Sequence, residues 1–298
     1  MTTTEVTTID TNNYAVMAKA MGMGQSATEK KTSALARLRI VHQPIMGQQE
    51  IKGKIKNVEV IPSGVYKLEI PDGGVLFSKD ICIRPFLQRY MYKKFIMGSG
   101  DVKNRYVKTV MGDSLNIDMK DNDGGFNCGK PSGWIEDFQS LPDSMKDLIR
   151  SVKRVRVLFG VVDMIDCTDI NGDLVEQDST PFIYEIENKD AFKIFGGLFN
   201  KLGKMQRLPP QHYIRATTDE RELPNGNSFF VPKADLDLME TLDMDNSTQE
   251  TFGDFMSWIG NYNQYILNEW SDKMKHDNEE MPNDVIDDFI DLEEEVPF

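Results

Sequence analysis

The residues of this 298-residue chain best suited to chemistry are cations interleaved with aromatic rings. Lys52, Lys54 and Lys56 recur at period two, so in a strand all three project from one face. Tyr66 and Lys67 stand in the next strand-like stretch. Arg84, Phe86, Arg89, Tyr90, Tyr92, Lys93 and Lys94 then crowd cations and rings together, and Arg105, Tyr106 and Lys108 continue the theme. Arg154 and Arg156, again at period two, form a second track. Cations follow phosphates, while aromatic faces stack unpaired bases at about 1–3 kcal/mol each without reading sequence. The chemistry this mixture offers is binding of a single-stranded polynucleotide, with affinity that falls steeply as salt rises. For any one ring the competing use is a place in the core, and for any one cation an ordinary wet surface. Trp134 and Phe126, in a Gly-rich loop, are balanced between stacking and burial.

Other patterns carry less. Gly124-Gly-Phe-Asn-Cys-Gly129-Lys130 matches most of a phosphate-binding loop, but Pro131 takes the place of the Ser or Thr that would hold Mg²⁺. Cys167-Thr-Asp-Ile-Asn-Gly172 is like a calcium loop with a Cys at the first ligand position, and reads better as a hairpin turn. Cys82, Cys128 and Cys167, with His42, His212 and His276, are too dispersed for a zinc half-site or a nucleophile–base pair. No catalytic residue, cofactor or metal is expected, although residues assembled from distant segments escape this reading.

The end of the sequence has a different character. Asp291, Glu293, Glu294 and Glu295 lead into Val296-Pro297-Phe298. Acidic runs stay solvated, yet a terminal Phe with its carboxylate suits a small apolar pocket rimmed by cations. This tip resembles the C-terminal peptide of bacterial single-stranded DNA-binding proteins, and acidic tails also occur in the phage proteins of that kind. The resemblance implies a DNA replication, recombination and repair protein. It would bind single-stranded DNA and recruit replication partners such as a polymerase, helicase, primase or recombinase through residues 291–298. The basic segment Lys30–Arg39 resembles the arm by which T-even phage proteins associate along a strand, which implies cooperative self-association. The chain departs from the T-even pattern in having no Cys/His zinc cluster, and its length is closer to the phage proteins than to the bacterial ones.

Charge agrees with a division of labour. The net charge is −14, but residues 30–110 carry 16 Lys and Arg against 6 Asp and Glu, whereas residues 235–298 carry 2 against 19. A basic module is thus joined to an acidic extension, which suggests that the tail competes with DNA for the basic groove. Three sparse cysteines and an N-terminus without an apolar leader point to a reduced cytoplasm, that of the host for a phage protein. No apolar run approaches the roughly 18 residues that cross a bilayer.

The elements that must position these residues are mostly short strands. Residues 55–61, 65–70, 75–77, 81–84, 104–111 and 115–119 alternate between Gly, Pro and Asp turns. A helix is expected near 144–152, strands at 155–162 and 181–186, and a helix from Asn188 to about Lys204. A hairpin follows through Asn225-Gly226, then a helix from Ser247 to Lys275 opened by the capping box Ser247-Thr-Gln-Glu250. The expected fold is α+β and β-rich. Residues 1–47 would be an arm, 48–235 an OB-like antiparallel barrel, 236–276 a packed helix, and 277–298 a disordered acidic tail. The competing readings are an acidic interaction adaptor or DNA mimic, whose cations would be dispersed, and an enzyme subunit with converging carboxylates.

Overall fold

The computed structural model describes residues 34–279, except 52–53, 72, 99, 101–102, 134, 178 and 224–225. The chain divides into Met1–Ala34 and Leu35–Phe298, and every element below belongs to the second unit. Lys52, Trp134, the arm as far as residue 33 and the acidic tip from Asp291 to Phe298 lie outside the described residues.

Alternation of Ala36, Leu38 and Ile40 with Arg37 and Arg39 is realised as strand β1, Ala36–Ile40. The folded body therefore takes in residues that the expected arm of 1–47 included. A two-stranded hairpin follows, β2 (Ile45–Ile51) and β3 (Lys54–Ile61), and then β4 (Tyr66–Ile70) and β5 (Gly74–Ser78). Between β3 and β4 the turn needs a glycine. Gly64 has φ +76°, and a Cβ there would meet the Phe230 ring at 2.6 Å.

β6 (Asp80–Ile96) runs straight through the cation-and-ring stretch, with β7 (Arg105–Lys108) folded back on its far end. Pro85 is tolerated in this long strand because the register shifts between Pro85 and Leu87, a bulge that spares the missing N–H. The remaining elements are α1 (Asp143–Ser151), β8 (Val152–Ile165), β9 (Thr180–Ile186), α2 (Lys189–Lys204), β10 (Ile214–Glu222), β11 (Ser228–Leu236) and α3 (Asn246–Glu279). Asn188 caps α2 as its sequence suggests, accepting from the Asp190 and Ala191 amides. At α3 the first-turn acceptor is Asp245, bonded by the Thr248 amide at 2.8 Å, in place of the expected Ser247 box. The expected strand at 115–119 is a run of turns.

Among the described residues nine strands form one sheet, in the order β11-β10-β6-β8-β9-β1-β4-β5 with β7 on β6. Its neighbours are antiparallel except β1 and β9. The closed antiparallel barrel expected from the strand count is not found. The sheet curls, but β4 meets β10 through side chains in place of a ladder. Tyr66 donates its hydroxyl to the Thr217 carbonyl at 2.9 Å, and Thr218 donates to the Gly64 carbonyl. β1 lies between β9, which it meets in parallel at Ala36↔Phe182 and Arg37↔Ile183, and β4, which it meets antiparallel from Arg37 to Ile40.

β8 is buried on both faces, which accounts for its unbroken apolar run. Leu158, Val162 and Met164 face a core closed by Phe195 and Ala191 of α2. Val155, Val157 and Phe159 face a second core closed by Phe255, Ile259 and Trp258 of α3. Burying each such aromatic or aliphatic side chain stabilises the fold by about 1.5–3 kcal/mol. Helix α3 covers only part of its face, and the uncovered part is where the charged side chains gather.

Candidate nucleic-acid interface

Because β1 and β9 are tied at only two positions, they part beyond Arg37 and Ile183. A cavity of 560 Å³ lies at this seam, bordered by Leu38 and Ile40 on one side and by Tyr184 and Ile186 on the other. Its polar lining includes Arg37, Arg39, Lys93, Lys108, Glu185 and Glu187. Four cations thus stand against two carboxylates.

Strand periodicity positions Arg37, Arg39, Lys93, Tyr106, Lys108 and Glu185. Arg37 and Arg39 occupy the alternate, exposed sites of β1. Among the described residues neither forms an ion pair. Lys93 and Lys108 are cross-strand partners in the β6–β7 ladder, as are Phe95 and Tyr106 next to them. Lys93 is held by Glu185 at 2.9 Å and Glu187 at 2.7 Å, and Lys108 lies 3.6 Å from Glu185. Burial lowers the affinity of Lys93 for its proton, but the charges and hydrogen bonds of Glu185 and Glu187 outweigh it and hold its pKa above the usual lysine value. At Lys108 burial wins and the pKa is lowered, with Lys93 and Arg37 adding to the effect. For Glu185 burial pushes upward, yet Lys108, Lys93 and Arg37 together keep it below the ordinary carboxylate range.

The aromatic component is a pair of half-exposed rings. Phe95 is 45% exposed and Tyr106 50%, with ring centroids 5.0 Å apart. The Lys93 ammonium lies 4.8 Å from the Tyr106 ring centre. A half-exposed aromatic face at the rim of a cavity lined by four cations has the parts that stacking of a base and contact with its phosphates require.

Many of the expected contact residues are used elsewhere. Tyr66, Phe86 and Tyr92 are core rings, 0%, 4% and 0% exposed, and none presents a face to solvent. In each case strand alternation turned the ring inward, and the Tyr66 and Tyr92 hydroxyls found carbonyl partners at Thr217 and Leu115. Arg156 is also buried, with its guanidinium 4.4 Å from the Phe192 ring centre and 5.0 Å from that of Tyr90. It donates to Gln88 and to the Tyr90 hydroxyl, so Tyr90 too is committed. Arg84 donates to the carbonyls of Pro210 and Asp243, pinning two loops. Arg89 pairs with Asp113 at 3.1 Å, Arg105 with Asp123 at 2.6 Å, and Lys67 with Glu69 at 2.8 Å. Lys54 and Lys56 are exposed on the separate β2–β3 hairpin, Arg154 is exposed on β8, and Lys94 is half-buried on the sheet face opposite Lys93. Of the expected set, Lys93, Tyr106 and Lys108 come together at the seam.

Arg37, Arg39, Phe95, Glu185 and Asn188 were not singled out as contacts by sequence. The Arg37/Arg39 alternation was visible, but it reads equally as a lead-in to the first strand. Nothing in Ile183-Tyr-Glu-Ile186 marks Glu185 as the partner of lysines so far away in sequence.

The phosphate-loop-like segment has a structural explanation. The amides of Asp123, Gly125 and Cys128 all converge on an anion, but it is the chain's own Asp121 carboxylate. Cys167–Gly172 is a turn in which Asp169 accepts from the Asn171 and Asp173 amides. Among the described residues no group of three or more His, Cys, Asp or Glu is placed to hold a metal ion. No helix among them is long and apolar enough to cross a membrane. Neither family models, nor curated proteins, nor solved structures give a match to this chain.

Proposed function

We propose that this chain is a single-stranded DNA-binding protein of phage type, acting without catalysis in replication, recombination and repair. The observation that carries the reading is the seam, where Arg37, Arg39, Lys93 and Lys108 line one cavity with Tyr106, whose ring pairs with the exposed Phe95. Phosphates lie along the cations, and a base stacks on Tyr106. The curled sheet is an OB-like arrangement left open at one side, supported by the side-chain bonds that bring β4 round to β10. Residues Asp291, Glu293, Glu294, Glu295, Val296, Pro297 and Phe298 serve as the docking tip for partner proteins, on the strength of their resemblance to bacterial tails. The three free thiols, Cys82, Cys128 and Cys167, suit a reducing cytoplasm.

Titration of the full chain with labelled oligo-dT at two salt concentrations tests the reading. Counterion release contributes a slope of about −0.7 per single-strand phosphate contact. Arg37 and Arg39, which form no ion pair among the described residues, alone predict a loss of about sevenfold in affinity between 0.05 and 0.2 M salt, and all four cations about 50-fold. An absence of binding at the lower salt would favour an acidic adaptor or DNA mimic.

A further inference from the structure

Helix α2 carries a feature that its packing does not explain. Lys189, Lys193, Lys201 and Lys204 are all exposed, and at 100° per residue they fall within about a third of the helix circumference. Among the described residues none of the four is in an ion pair. Asp190, in the first turn, is the helix's lone acid. On a chain of net charge −14, four unneutralised lysines on one face form a concentrated patch.

The patch has a bare centre. Gly197 stands one turn after Lys193 and one turn before Lys201, and it is exposed. Its neighbour Gly196 is needed for packing, since a Cβ there would sit 2.6 Å from Arg156 Nη2. A Cβ on Gly197 would meet nothing within 4 Å. Glycine in a helix interior is unfavourable, so this position sacrifices helix propensity with no neighbour requiring it. A missing side chain between two lysines lets a ligand's backbone approach the helix closely.

The patch is continuous with the seam. Asn188, the cap of α2, and Ala191 in its first turn both line the cavity. From Lys189 to Lys204 the helix then extends roughly 22 Å at 1.5 Å per residue. We propose that α2 is the second half of a single-stranded polynucleotide path, in which phosphates leaving the seam run along Lys189, Lys193, Lys201 and Lys204 and settle over Gly197. This rests on the nucleic-acid reading of the seam and adds to it a direction and a minimum length.

The test compares oligo-dT of about 5 nucleotides with oligo-dT of about 20, against the full chain. The triple variant K193Q/K201Q/K204Q is expected to bind the short strand as the parent does. For the long strand it should lose about two units of salt slope and, at 0.1 M salt, on the order of 100-fold in affinity, about fivefold for each contact. Its thermal unfolding should fall only slightly, because the three exposed side chains form no ion pair among the described residues and only Lys201 and Lys204 lie in the last turn, where their charge favours the helix dipole. Gly197→Gln should weaken long-strand binding while leaving the short strand unaffected. R37Q/R39Q should weaken both lengths, which separates the seam from the helix. Unchanged long-strand affinity in the triple variant would overturn the path along α2 while leaving the seam standing. So would equal losses at both lengths. Tighter long-strand binding would also overturn it, by showing that the stripe holds the chain's own acidic tail. If the parent binds neither oligonucleotide, the seam reading fails and the path fails with it.

Discussion

Replacing Tyr106 with Ala separates stacking from charge at the seam. The ring is half exposed and packs chiefly against Phe95 at 5.0 Å, so its removal costs the fold little beyond the pair itself, about 0.5–1.5 kcal/mol. If a base stacks on it, binding should weaken by about 1–3 kcal/mol, which is about 5- to 150-fold. The ring carries no charge, and Lys93 keeps its contacts with Glu185 and Glu187 when the ring is gone. The slope of log affinity against log salt should therefore stay at its parent value. Arg39→Gln should do the reverse, lowering the slope by about 0.7 with only about a fivefold loss at 0.1 M salt. Tyr106→Phe keeps the face and should bind almost as the parent does. Fluorescence anisotropy with labelled oligo-dT over a salt series measures all three. Parent-like affinity in Tyr106→Ala, with the protein still folded, would refute the stacking role. A fall in salt slope in that variant would instead mean that the ring merely places Lys93.

Two further predictions concern the fold. Gly197→Ala should stabilise the protein by about 1 kcal/mol through helix propensity, whereas Gly196→Ala should destabilise it by about 1–3 kcal/mol by crowding the Arg156 guanidinium, both read by chemical denaturation. Glu185 has its pKa depressed in the folded state, so its contribution is present above the ordinary value of 4.5 and lost as pH falls through the lowered one. Lys93, with a raised pKa, contributes below its ordinary 10.5 and loses that contribution as pH rises through the raised value. The stability gap between the parent and Glu185→Gln should accordingly be widest near neutrality and narrow as pH falls below 4.5, and a gap that widened in acid would contradict the ion-pair account.

How far the sequence reveals this molecule depends on which physical rule governs each residue. Local rules were enough for strands such as β9, for Asn188 at the head of α2 and for the long helix α3, because alternation, caps and apolar spacing act over a few residues. They did not reveal which face of β6 would be wet. The bulge after Pro85 resets its alternation, so Tyr92 turns inward while Lys93 turns out. They also missed the parallel pairing of β1 with β9, which joins residues some 146 positions apart and opens the seam. Arg156 shows the same limit. A period-two pair of arginines promises two exposed cations, but α2 places Phe192 and Gly196 over one of them and leaves it sheltered against aromatic rings. The lysines of α2 were legible one by one, but their significance depends on knowing where that helix begins.

The arrangement of the seam also says what kind of binding it permits. Lys93 and Lys108 already hold carboxylates, so a phosphate reaching them must displace Glu185 or Glu187. Such an exchange gains little direct energy, because one anion leaves as another arrives. In the proposed complex its yield would come instead from counterions released by the strand and from a base stacked on Tyr106. Arg37 and Arg39, and the lysines along α2, have no such partner among the described residues, and make their contacts without breaking others. Binding should therefore begin at the free cations and proceed inward. If a polynucleotide binds here as proposed, the paired lysines would set how readily it is released.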